Sequence, residues 1–120
     1  MKEQTSSQNV IAIIWDFDKT LIPDYMQTPL FKHYGVDERK FWNENNSLVK
    51  LYKDKGIKVN SETIYLNHIL TYVRNGLFAD LSNDKLRELG KEITFFDGLP
   101  EFLEITKQFV TSNEDRKSVV

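Results

Sequence analysis

The sequence predicts an α/β protein in which one buried strand precedes a helical block and a last helix. Three observations carry that expectation. Val10-Ile11-Ala12-Ile13-Ile14-Trp15 is continuously apolar and rich in β-branched residues, without the alternation of a strand that has one wet face. Apolar residues then recur at helical spacing from about Pro23 to Phe96, and Gly98-Leu99-Pro100 starts a final amphipathic segment.

The elements follow in chain order. Residues 1–9, MKEQTSSQN, are polar and aperiodic, which is the composition of a tail. Residues 10–22 hold the strand and the loop that leaves it. In residues 23–96, Asp37 precedes Phe41, Trp42, Leu48, Val49 and Tyr52 on one helical stripe, and Gly56 is the expected stop. Asn60 or Ser61 is placed to cap a second helix carrying Tyr65, Leu66, Ile69, Leu70, Tyr72 and Val73, which Gly76 ends. Ser82 or Asp84 opens a shorter helix with Leu86 and Leu89, closed by Gly90. Residues 97–120 hold the last helix, with Pro100 near its first position and Phe102, Ile105, Thr106 and Phe109 on one face, and then the start of a further segment.

Composition narrows the function. With 16 Lys plus Arg against 18 Asp plus Glu and a net charge of -2, the chain lacks the basic excess of a protein that binds nucleic acid by neutralising phosphates. No Cys is present, which excludes disulfides, thiolate zinc sites and a cysteine nucleophile. No apolar run approaches the ~20 residues that span a bilayer, and residues 1–9 lack the apolar stretch of a secretory signal, so the expected location is the cytosol, without membrane contact.

Chemistry concentrates where the strand ends, in Trp15-Asp16-Phe17-Asp18-Lys19-Thr20-Leu21. Ligands of open α/β sheets bind outside the carboxyl ends of the strands, and two carboxylates emerge there two residues apart. Two acids after a strand also occur as turn or capping residues. The apolar strand followed by Asp-x-Asp-x-Thr-Leu is more specific, and it resembles the first motif of the haloacid dehalogenase-like (HAD) hydrolase superfamily. Phe96-Asp97-Gly98-Leu99-Pro100 resembles, less specifically, the turn at which such chains re-enter the core after a cap insertion.

The resemblance implies an incomplete HAD-like Rossmannoid core with an inserted helical cap over residues 23–96. It implies Asp16 as a nucleophile that forms an aspartyl-phosphate, and Asp18 as the general acid and then base. It also implies Mg²⁺, held by the Asp16 carboxylate and the Asp18 backbone carbonyl, and a small phosphorylated substrate. Asp18 points to phosphoester hydrolysis rather than dehalogenation, since a halide leaving group needs no proton. Leu21 and Ile22 stand where the cation-pumping ATPase signature requires Gly and Thr, which excludes that register.

Other residues have plainer expectations. Thr20 orders the loop and Lys19 is solvated. His33 and His68 have no acid or Cys at ligand spacing and read as surface or half-buried helix residues. Phe41, Trp42, Tyr52, Tyr65 and Tyr72 form the core of the cap. The phosphate-binding Ser or Thr, the Lys and the acidic pair that complete a HAD site are not found: Phe109-Val110-Thr111-Ser112 follows Gly98 too closely to be the next strand, and Val119-Val120 reads as an approach to it. The chain is therefore expected to be an N-terminal fragment or a truncated reading frame, inactive alone and prone to aggregate through an uncovered apolar face. The alternatives are a non-catalytic module that keeps the motif as a relic, and a phosphotransferase.

Overall fold

The computed structural model describes residues 12–112. The expected tail, the first two residues of the expected strand and Val119-Val120 lie outside them. Five helices follow one another: α1 (Thr28–Tyr34), α2 (Glu38–Asp54), α3 (Ile64–Arg74), α4 (Asn83–Gly90) and α5 (Leu99–Thr111).

Local chemistry accounts for the helix ends. Pro29 stands in the first turn of α1, and Gly35 ends it in the left-handed region at φ 63°, with the Val36 N–H bonded to the Phe31 carbonyl at 2.9 Å. The Asp37 carboxylate caps α2 by accepting the Lys40 N–H at 3.1 Å, and the Ser82 hydroxyl caps α4 by accepting the Lys85 N–H at 3.2 Å. Asn60 does not cap α3 directly. Its side chain accepts the Glu62 N–H at 2.7 Å in an Asx turn that leads into the helix. Gly90 lies inside α4, and Lys91 follows as the cap. Ser112 is the cap of α5, so residues 109–111 belong to its last turn.

The core lies within the helical block. α2 packs on α3 and α1 on α4, and Phe31, Phe41, Tyr72, Phe78, Leu30 and Leu89 form the buried cluster. Phe41 is its centre, with ring centroids 4.8 Å from Phe31 and 5.1 Å from Tyr72. Trp42 and Tyr65 pack against the cluster partly buried, whereas Tyr52 stands outside it. The two ends of the block meet: the Phe96 N–H bonds to the Leu21 carbonyl at 3.1 Å, and the Phe17 and Phe95 rings meet edge to face.

The expected α/β class is overturned. Among the described residues the protein is helical and has no sheet. Ala12 to Phe17 run as irregular, exposed chain, with Ile13 67% and Ile14 91% exposed. The one ladder contact there is an isolated bridge between Asp18 and Ile22. The physical reason is pairing: a strand is stable only when a neighbour takes its backbone N–H and C=O groups, and no second strand is present among these residues to do so. β-branched composition marks a segment that suits a sheet without supplying one. The incomplete Rossmannoid core inferred from the same run therefore does not describe this structure. No helix among the described residues is long and apolar enough to cross a membrane.

Candidate functional site

The Asp16–Asp18 loop is built around one carbonyl. The Phe17 C=O accepts the N–H groups of Thr20, Leu21 and Ile22 at 3.3, 2.9 and 3.2 Å, which curls residues 18–22 into a tight turn. Ile22 is 2% exposed and anchors the end of that turn. Lys19 closes it with φ 58°, a left-handed conformation that costs a non-glycine residue about 1–2 kcal/mol. Lys19 is exposed, and its ammonium lies 4.3 Å from the centre of the Tyr25 ring.

The turn sets the two carboxylates apart in environment. Asp16 is exposed and receives a long hydrogen bond, 3.4 Å, from the Thr20 hydroxyl to its Oδ2. Asp18 is half-buried, and its Oδ1 accepts the Met26 N–H at 2.8 Å, tying the loop to the entry of α1. Thr20 thus orders the loop, as the sequence leads one to expect. One carboxylate is presented to solvent with a hydroxyl beside it, and the other is oriented by a backbone bond.

The donor set suits a hard cation only in part. Among the described residues no group of three or more His, Cys, Asp or Glu side chains is placed to hold a metal ion. Mg²⁺ does not require such a cage, because one or two carboxylates with waters and a substrate phosphate complete its octahedron.

A second polar centre escaped the sequence. His68, read as a surface or half-buried residue, is 7% exposed, and its Nε2 lies 3.0 Å from Glu44 Oε2. The Tyr72 hydroxyl donates to the same oxygen at 2.7 Å. His68 also stacks on Phe41 with centroids 4.7 Å apart, and its Nδ1 is buried without a hydrogen-bond partner. Glu44 lies 24 residues before His68, so no local spacing announces the pair. Glu44 and His68 of this trio border a concave surface of about 670 Å³ that Arg39 and Lys40 also line. Its bonds run from α3 to α2, which gives it a role in holding the two helices together. His33 is exposed, edge-on to Tyr34.

Comparison with known proteins adds one relationship. The chain is 44% identical over 115 residues to an uncharacterized protein of Borreliella burgdorferi, a match that takes in 92% of this chain and 40% of the relative. This chain thus spans well under half of that protein's length. No family model matches the chain, and no solved structure matches it.

Proposed function

We propose that the Asp16–Asp18 loop is the nucleophile loop of a phosphate-ester hydrolase of the HAD kind that works in the cytosol on a small phosphorylated substrate. The observation that carries this reading is the unequal setting of two carboxylates in Asp-x-Asp-x-Thr-Leu: Asp16 exposed beside the Thr20 hydroxyl, Asp18 oriented by the Met26 N–H. The reading concerns the chemistry of the loop and does not depend on a sheet.

An Asp16 carboxylate oxygen attacks phosphorus as the P–O bond to the leaving group breaks, and Asp18 gives that oxygen its proton. Water then attacks the aspartyl-phosphate, Asp18 takes the water's proton, and the P–O bond to Asp16 breaks to release inorganic phosphate. The Thr20 hydroxyl donates to the Asp16 carboxylate, and the Met26 N–H orients Asp18. The Asp16 carboxylate and the Asp18 carbonyl would hold Mg²⁺, which would neutralise the phosphate charge that otherwise repels the nucleophile.

The test is a chimera in which this chain replaces the matched region of the Borreliella relative, assayed with an aryl phosphate and Mg²⁺. Turnover is expected, with Asp16→Asn lowering it about 10³-fold or more and Asp18→Asn lowering it about 10²–10⁴-fold. The 120-residue chain by itself is expected to be inactive. A folded chimera without turnover, or one indifferent to Asp16→Asn, refutes the reading.

A second reading, a non-catalytic module that keeps the motif as a relic, is favoured by one observation: the described residues gather no third acidic or imidazole group around the loop. Turnover that depends on Asp16 in the chimera would exclude it for this loop.

A further inference from the structure

α5 has an apolar face and buries no residue. Ile105 is 65% exposed, Phe102 49%, and the segment that lies against this helix adds Ile13 at 67%, Ile14 at 91% and Trp15 at 48%. The segment and the helix adjoin at Trp15 and Phe102, whose rings meet edge to face with centroids 6.2 Å apart. Isolated exposed apolar side chains are ordinary, whereas a run of large ones on two adjoining segments marks a contact surface.

We infer that this face docks against a polypeptide equivalent to the part of the Borreliella relative that lies outside the match. Two observations choose that occupant. The relative joins a segment 44% identical to this chain to a further 60% of its length, so a protein with a related segment carries additional polypeptide that could cover this face. A tethered partner acts at an effective concentration in the millimolar range and displaces a second copy that must be met from dilute solution. A lipid surface fits poorly, since α5 carries Glu101 and Glu104 against the single cation Lys107, whereas interfacial helices are rich in Lys and Arg. The inference stands apart from the phosphoryl chemistry, because it uses neither Asp16 nor Asp18.

Hydrogen exchange tests it, comparing the 120-residue chain with the chimera in which the chain replaces the matched region of the relative. The α5 amides are expected to exchange at least about tenfold more slowly in the chimera, with α2 and α3 unchanged. Ile105→Asp in the chimera is expected to return α5 to the rate of the isolated chain, again without effect on α2 and α3. Equal α5 rates in the two proteins overturn the inference. Protection already present in the isolated chain and lost on dilution would assign the face to a second copy, and protection that appears only with anionic vesicles would assign it to a lipid surface; either result also overturns it. The readout involves no phosphate ester, so its failure is distinct from failure of the proposed hydrolase.

Discussion

The Tyr72 hydroxyl donates to Glu44 Oε2 at 2.7 Å, joining α3 to α2 beside the ring of Phe41. Because His68 meets the same oxygen, one carboxylate serves two partners, and its protonation bears on the packing of the helical block.

That arrangement sets an acid dependence. The Tyr72 hydrogen bond is the main reason the Glu44 carboxyl sits below its usual value, with His68 adding to it and burial opposing it. A carboxyl lowered in the folded state contributes stability that is fully present above its unfolded value and is lost as pH falls through the folded one. Tyr72→Phe removes the largest cause, so it should cost about 1 kcal/mol at neutral pH and less as the solution is acidified. Urea denaturation of both proteins from neutral pH down to the acid limb measures the gap, and a constant gap contradicts the assignment.

Tyrosine titration gives an alkaline counterpart. Tyr34 and Tyr72 are each pushed up to about 12, first by burial and then by the carboxylates they donate to, Asp80 and Glu44. A phenol raised in the folded state contributes stability that is complete below its unfolded value, about 10, and is lost as pH rises through the folded one. Phenolate absorbance should show both groups ionising late. Asp80→Asn should bring back part of the Tyr34 shift and leave Tyr72 in place; a Tyr34 that does not respond contradicts the pairing.

Packing predicts a contrast between two apolar positions. Phe41 is fully buried, so Phe41→Ala should cost about 3–5 kcal/mol and lower the melting temperature by at least about 10 °C. Ile105, 65% exposed on α5, should tolerate Ala within about 0.5 kcal/mol in the 120-residue chain. Similar losses at both positions would mean that α5 belongs to the same core.

The sequence was most informative where chemistry is local. Asp37, which precedes the first helical stripe, and Ser82, one of the two residues offered to open the third helix, are caps, because a side-chain oxygen reaches an N–H three residues on whatever the tertiary context. α1 was legible in principle from Pro29 and Gly35, yet it is short and was absorbed into a longer helical block. The α/β class failed because Val10–Trp15 signals only an affinity for a sheet, whereas a sheet depends on strands elsewhere. The Glu44–His68 contact was illegible because packing of α2 on α3 creates it. The motif singles out Asp16 and Asp18 as candidates, and the structure adds what the motif omits: the hydrogen bonds that set the two carboxylates in different surroundings.

If the Asp16–Asp18 loop works as proposed, Asp16 becomes covalently phosphorylated. The most direct measurement is mass spectrometry of the chimera, quenched in acid during turnover and digested for peptides that span the loop. The account predicts one phosphate on Asp16, absent in Asp16→Asn and accumulating in Asp18→Asn if the second step becomes the slower one. Phosphate on Asp18 instead, or sustained turnover with neither aspartate modified in any of these proteins, would contradict it.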